Sequence, residues 1–132
     1  MAAPVELVQR VPLFADLDRR ELQSIASSMK ERTFRAGETV TEEGRAGAGF
    51  FVIADGEAEV STQGEHRRDL GPGDHFGEIA LITDTDRTAT ITAKTDLRCF
   101  GMTAWDFRPL VESNGHIAWK LLQSLGRMLR DG

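Results

Sequence analysis

The chain has 132 residues, of which 40% are hydrophobic and 28% charged, and a formal net charge of −5 at pH 7. This length suits one domain, and the composition is ordinary for a globular protein. The negative charge argues against general attraction to nucleic acid or anionic membranes. Cys99 is the only cysteine, which excludes an internal disulfide and favours a reducing compartment. With no signal-peptide pattern and no apolar run of spanning length, we expect a cytoplasmic protein or a cytoplasmic part of one.

The first thirty residues predict two helices. Residues 4–10 form the first, and the proline at position 12 ends it because proline interrupts helical hydrogen bonding. Asp18, followed three residues later by Glu21, has the pattern of a capping box. Apolar side chains then recur at helical spacing. They are Leu22, Ile25, Ala26 and Met29. We expect this amphipathic helix to continue to about residue 30.

Residues 31–102 have a different sequence pattern, in which short apolar segments are separated by glycines. Strands are predicted over residues 33–35, 39–41, 50–53, 58–61, 67–70, 88–93 and 96–102. Short strands at regular spacing with glycine turns favour a β-sandwich or a small barrel.

Two helices are predicted to follow the strands, over residues 104–112 and 116–130, with Asn114 and Gly115 between them. The second carries more apolar surface than one core stripe requires. We favour core packing for the remainder, which includes Trp119, over contact with a ligand or partner subunit. Gly126 in this helix either marks a hinge or is a tolerated surface position.

The stretch 71–93, GPGDHFGEIALITDTDRTATITA, combines features of an anion-binding site. The segment after Gly77 is short and helix-prone, and a single helical turn leaves unpaired N–H groups at its start. Gly77 has no Cβ and allows close approach to the backbone. Arg87 can return over the intervening loop and hold a phosphate through two parallel hydrogen bonds. Glu78 is an anion beside this site, which a ribose hydroxyl as its partner would explain.

The alternative for this stretch is a tight turn with no ligand. Arg87 would then be exposed and paired with Asp84, Asp86 or Glu78. The spacing alone does not separate the two interpretations.

The segments FGEIAL at 76–81 and RTAT at 87–90 resemble the phosphate-binding cassette of the cyclic nucleotide-binding domain family. This family includes protein kinase A regulatory subunits, catabolite activator proteins and cyclic nucleotide-gated channels. The resemblance implies that Glu78 takes the ribose 2′-hydroxyl and Arg87 the cyclic phosphate, with backbone N–H groups near Ile79, Ala80 and Ala89 completing the site. One departure is Asp86, where many relatives have proline.

The resemblance covers roughly residues 13–129 and implies an α+β fold. We expect one domain over residues 1–132: helices at about 4–30, a β-roll at about 31–102 and C-terminal helices at about 104–130. The β-roll is a jelly-roll-like antiparallel barrel.

The resemblance also implies a set of ligand contacts. They are Phe76, Gly77, Glu78, Ile79, Ala80, Arg87, Thr88 and Ala89 in the cassette, Val60 on a strand, and Arg127, Met128 and Arg130 as a C-terminal lid.

The function that follows is a regulatory sensor that binds cAMP, which we favour over cGMP, and signals through movement of its C-terminal helices. We expect it to have no cofactor and no catalytic activity. Partners would be a second copy of the chain or a larger effector protein, with no DNA and no membrane insertion. The alternative is a nucleotide-independent interaction module that uses the apolar C-terminal helix, although the intact Glu78 and Arg87 argue against it. An enzyme on a related barrel is poorly supported, because no His-x-His pair and no nucleophile set stand out.

A few other residues could carry chemistry. We interpret His75 as a surface or turn residue, and Arg67 and Arg68 as a solvated strand pair rather than ligand contacts. Cys99 is expected to fill the core rather than act as a nucleophile. Glu59, with Glu57, is expected to face water.

Overall fold

The structure, a computed structural model, describes residues 3–44, 49–83 and 87–132, without the side chain of Ile79. The described helices are α1 Val5–Gln9, α2 Arg19–Ser27, α3 Ala104–Glu112 and α4 Gly115–Asp131, with 3-10 turns at Pro12–Phe14 and Glu78–Leu81. The strands are β1 Lys30–Phe34, β2 Thr39–Thr41, β3 Phe50–Asp55, β4 Ala58–Thr62, β5 Glu65–Leu70, β6 His75–Phe76, β7 Thr90–Ala93 and β8 Leu97–Met102.

The strands form two antiparallel four-stranded sheets, in the orders β1-β8-β3-β6 and β2-β7-β4-β5. With helices before and after them, these sheets confirm the predicted α+β roll. All seven predicted strands are present, six of them with shifted ends, and β6 was not predicted. Its two residues pair with Phe51 and Val52, and so short a strand leaves no periodicity to detect.

Strand β3 separates two apolar clusters because successive side chains point to opposite faces of the sheet. Phe50 and Val52 pack towards the helices, while Phe51 and Ile53 pack between the two sheets. Burial on both faces explains why this strand is a continuous apolar run. The cluster between the sheets contains Ala58, Val60, Leu70, Phe76, Ile91, Ala93, Leu97 and Cys99 as well.

The helices begin where their caps predict. Asp18 and Glu21 form the capping box, with backbone-to-carboxylate distances of 2.9 Å in both directions. Helix α2 ends at Ser27 rather than near residue 30, because Lys30 already belongs to β1. The interruption before α4 is its N-cap, since the Asn114 side-chain oxygen accepts hydrogen bonds from the first turn.

Helix α4 buries one stripe and exposes another. Ile117, Leu121 and Ser124 are buried, whereas Trp119, Leu122 and Leu129 are 60–83% exposed. Core packing therefore does not account for Trp119, which corrects the interpretation we favoured. The helix continues through Gly126, where an added Cβ would meet no atom within 4 Å, as expected of a surface position. None of the described helices has the length and apolar character needed to cross a membrane.

Candidate ligand-binding site

A cavity of about 640 Å³ is lined by all four strands of the second sheet, by β6 and by the segments that flank it. Its volume is typical of small-molecule sites. The lining residues are Thr41, Val60, Arg68, Asp69, Leu70, Asp74, His75, Phe76, Gly77, Glu78, Ala80, Arg87, Thr88, Ala89 and Ile91. Eight of the twelve residues predicted to contact a ligand are in this set. Ile79 belongs to the adjoining 3-10 turn, and its side chain lies outside the described part of the chain.

Four lining residues form a single row across the second sheet, which we call the floor row. Thr41 lies opposite Ile91, Ile91 opposite Val60, and Val60 opposite Arg68. Directly opposed residues share one face of a sheet, so this row presents two apolar side chains between two polar ones. Each strand adds about 4.8 Å, which makes the row roughly 14 Å from end to end. That span suits a ligand with a flat apolar face and polar ends.

Gly77 allows Arg87 to lie against the backbone. Its φ is +86°, a conformation that favours glycine. A Cβ at this position would lie 2.6 Å from the carbonyl oxygen of Gly49 and would collide with Nη1 of Arg87. The 3-10 turn follows at once, with the Ala80 N–H donating to the Gly77 carbonyl at 3.1 Å. The turn predicted here is therefore present, and the Ala80 N–H is already engaged in closing it.

Arg87 is fixed at its backbone and at one guanidinium nitrogen. Its carbonyl accepts from the N–H of Gly44 at 2.8 Å, and its Nη2 donates to the carbonyl of Gly49. Its Nε is buried and has no hydrogen-bond partner among the described residues. Burial lowers the pKa of Arg87 and the charge of Glu78 opposes this effect, but an arginine stays protonated at neutral pH. A buried donor without a partner costs free energy, and an anionic acceptor would remove that cost.

Glu78 lies in the cavity as a carboxylate. Its Oε2 is 3.6 Å from Nε2 of His75, and this contact does most to lower the pKa of Glu78. Burial opposes the shift, while the residue's own backbone N–H and the charge of Arg68 support it. The group is therefore ionised at neutral pH and accepts hydrogen bonds without donating them. This arrangement suits a hydroxyl group as its partner.

The residues predicted to form a C-terminal lid lie outside the cavity. Arg127 pairs with the carboxylate of Asp16, which also accepts from Ser124 at 3.3 Å, and Arg130 pairs with Asp131 at 3.0 Å. Met128 is partly buried in α4. None of the three predicted lid residues lines the cavity. Helix α4 instead packs its buried stripe against the N-terminal helical region, where Lys120 reaches Glu21 at 2.6 Å.

Several residues that line the cavity are not predicted from the sequence as ligand contacts. Arg67 and Arg68 differ in their surroundings, because Arg68 is exposed and also lines the cavity, whereas Arg67 contacts Thr62 and Glu65. Strand alternation could have found Arg68, because Leu70 two residues on is buried. His75 faces Glu78 rather than serving only as a turn residue. No local signal pointed to Thr41, since its position depends on the pairing of β2 with β7.

Two other groups have little catalytic character. Cys99 is fully buried, and burial raises the pKa of its thiol to about 12, so it is expected to remain a thiol rather than a nucleophile. Glu59, His66 and Asp69 bring ligand atoms within 4.8 Å of one another on the outer face of β4 and β5. Contacts within the protein account for this cluster, because the two nitrogens of His66 face the two carboxylates and Lys94 forms an ion pair with Asp69 at 3.0 Å.

Comparison with known proteins gives one family. The family model described as "Cyclic nucleotide-binding domain" matches residues 31–114. A cAMP-dependent protein kinase regulatory subunit of Yarrowia lipolytica is 40% identical over 93 residues, which are 69% of this chain and 25% of the relative. The chain thus spans about a quarter of that curated relative.

Solved structures share the fold along most of the chain. The N-terminal domain of a transcriptional regulator from Streptomyces coelicolor A3(2) is 29% identical with a TM-score of 0.88, and the match covers 95% of this chain and 93% of that domain. A cAMP-bound structure of PfPKA-R is 26% identical with a TM-score of 0.72, and the match covers 94% of this chain and 45% of that one.

Proposed function

The chain belongs to the cyclic nucleotide-binding domain family, and we propose that its cavity binds a cyclic nucleotide, with cAMP favoured over cGMP. The cyclic phosphate is bound by Arg87 at the Gly77 turn, and the ribose 2′-hydroxyl is bound by Glu78. The apolar middle of the floor row, Val60 and Ile91, contacts the ring system.

The observation that carries this proposal is the state of Arg87. It is held at the cavity by the Gly49 and Gly44 contacts, yet its buried Nε has no partner among the described residues. An ionised carboxylate, Glu78, lies in the same cavity. A cation with unused hydrogen-bonding capacity and an acceptor carboxylate match a ligand that carries both a phosphate anion and hydroxyl donors. A cyclic nucleotide carries both groups.

The preference for cAMP is supported by the relatives. The Yarrowia lipolytica protein is a subunit of a cAMP-dependent kinase, and the PfPKA-R structure was solved with cAMP. At the cavity, the carboxylate of Asp74 suits the amino group of adenine, while Arg68 suits the acceptor edge of guanine. Because these features favour different bases, we expect a small difference in affinity between cAMP and cGMP rather than strict selection of one of them.

The output of the domain is a change at the C-terminal helices. In this structure α4 is held against the N-terminal region by Arg127 with Asp16 and by Lys120 with Glu21. Ligand binding shifts α4 only to the extent that the nucleotide binds one arrangement more tightly than the other. The domain is a regulatory module without catalysis and without a cofactor, and we place it in the cytoplasm.

A second candidate function rests on the outer face of α4. Trp119, Leu122 and Leu129 are exposed on this helix, and so broad an apolar surface suggests a protein contact. The contact would be with a second copy of the chain or a larger effector protein, and it would need no nucleotide. Binding of neither DNA nor membrane is part of either function, in keeping with the net charge of −5.

The deciding experiment is isothermal titration calorimetry of the chain with cAMP and with cGMP, using 5′-AMP as the control. Saturable 1:1 binding of a cyclic nucleotide, with much weaker binding of 5′-AMP, is expected. Heats no larger than dilution for both cyclic nucleotides would contradict the proposal and leave the interaction module as the better explanation.

A further inference from the structure

Thr41 ends the floor row with a hydroxyl that no described residue binds. The residue is 8% exposed, it lines the cavity, and its Oγ1 is buried without a hydrogen-bond partner among the described residues. Neighbouring Thr90, in contrast, accepts from the N–H of Glu43 at 3.0 Å. Threonine is thus used structurally at one position beside the cavity and left unsatisfied at the other.

An unsatisfied buried hydroxyl lowers stability, whereas valine has almost the same shape and lacks this penalty. Strand β2 also favours valine, because β-branched residues suit strands whether or not they carry a hydroxyl. Packing and strand propensity therefore do not explain a threonine here. A role in binding explains it, since the hydroxyl can donate to or accept from a ligand.

The location of Thr41 is suitable for such a role. It lies opposite the apolar Ile91, and the segment just after it contacts Arg87, because the Gly44 N–H donates to the carbonyl of Arg87. Rotation about χ1 exchanges the methyl and the hydroxyl between staggered positions, so the covered oxygen can turn towards the cavity. The exchange gives the hydroxyl a partner when the cavity is filled.

We propose that the Thr41 hydroxyl is a further ligand contact, which forms a hydrogen bond with the bound cyclic nucleotide at the β2 end of the floor row. The inference rests on the proposed function of the cavity and adds a contact residue from outside the cassette.

The test compares Thr41→Val with Thr41→Ser in the full chain, by calorimetric titration with cAMP and by thermal unfolding without ligand. Thr41→Val should bind cAMP about fivefold more weakly, the scale of one net hydrogen bond. Its unfolding midpoint without ligand should be unchanged or higher, because an unsatisfied group has been removed. Thr41→Ser retains the hydroxyl and should keep the affinity within about twofold of the parent. Thr39→Val, on the exposed part of the same strand, is the matched control and should change neither quantity.

The outcomes separate this inference from the function on which it rests. A parent chain that does not bind cAMP or cGMP overturns both. A parent that binds, with Thr41→Val binding equally well, overturns the Thr41 contact alone. A lower unfolding midpoint for ligand-free Thr41→Val also overturns it, since the hydroxyl would then have a structural partner. Equal weakening by valine and serine would show that keeping the hydroxyl does not preserve the affinity, and would assign the effect to the shape of the side chain, against the inference.

Discussion

Two arginines that the sequence assigned to the same ligand occupy different environments. Arg87 lies at the cavity with a buried Nε that no described residue satisfies. Arg127 lies on α4, paired with Asp16 beside Ser124. A cation whose partner is supplied by the fold already has a structural role, whereas one left incomplete in a cavity is available to a ligand. The state of the partners, more than the residue type, distinguishes a binding arginine from a structural one.

The same contrast holds for two glutamates. Glu21 completes a capping box and also holds Lys120, so its carboxylate is occupied by the protein. Glu78 faces His75 across 3.6 Å, a distance too long for a good hydrogen bond, and remains in the cavity. Glu21 therefore helps to hold α4, whereas Glu78 is available for recognition of a ligand.

The largest effect is expected at Arg87. Arg87→Ala should weaken cAMP binding by about 2–4 kcal/mol, because it removes one partner of a desolvated charge pair. Arg87→Lys keeps the charge but loses the planar fork, and it should bind with intermediate affinity. Calorimetric titration measures both variants, with unfolding curves to show that each is folded. Parental affinity in a folded Arg87→Ala would remove the phosphate contact from the proposal.

The ribose contact should have the next largest effect. Since Glu78 is ionised, 2′-deoxy-cAMP should bind the parent about 1.5–3 kcal/mol more weakly than cAMP, the range for hydrogen bonds to charged groups. Glu78→Ala should bind the two ligands with more similar affinities. Competition against a fluorescent cAMP analogue measures all four combinations. Equal affinity of the parent for the two nucleotides would show that Glu78 does not bind the 2′-hydroxyl.

Base preference should be smaller. We expect cAMP to bind more tightly than cGMP by about 1 kcal/mol, the scale of one net hydrogen bond. Arg68→Ala should widen this preference, because its guanidinium suits the acceptor edge of guanine. Thr88, exposed at the cavity rim beside Arg87, is tested in parallel with Thr88→Ala. A clear cGMP preference that disappears in Thr88→Ala would show that Thr88 reads the base and that the expected ligand is wrong.

Local patterns in the sequence were enough to predict much of the fold. Helix caps, glycine turns and strand-forming runs act over a few residues, so the Asp18 capping box, seven strands and four helices could all be located. The 3-10 turn after Gly77 was likewise evident from a short, helix-prone segment. Strand β6 could not be predicted, because a segment of two residues has no detectable periodicity.

Features that depend on long-range pairing could not be predicted in this way. The floor row joins Thr41 to Arg68 through three strand pairings whose register no local pattern specifies. The apolar stripe of α4 indicated that the helix is partly buried but not what it packs against. Asp16, which holds Arg127, is 111 positions away in the chain. The lid assignment came from the family resemblance, and in this structure none of the three lid residues lines the cavity.

The smallest effect on binding is expected at Arg127. Surface substitutions outside a site usually change free energies by less than about 0.5 kcal/mol, so Arg127→Ala should keep the cAMP affinity within about twofold.

The same substitution should instead change the pKa of Asp16. Hydrogen bonding and charge from Arg127 hold the pKa of the Asp16 carboxyl below its usual value of 3.8. The ion pair therefore stabilises the fold above pH 3.8, and this stabilisation is lost as the pH falls through the lowered pKa of Asp16. In Arg127→Ala the Asp16 pKa should rise towards 3.8, which NMR titration can measure, while Arg130→Ala, on the same helix, should leave it unchanged. A tenfold loss of cAMP affinity in Arg127→Ala, with Arg130→Ala at parental affinity, would mean that Arg127 leaves Asp16 and reaches the nucleotide in the bound state. The contrast between the two arginines would then describe only the ligand-free molecule.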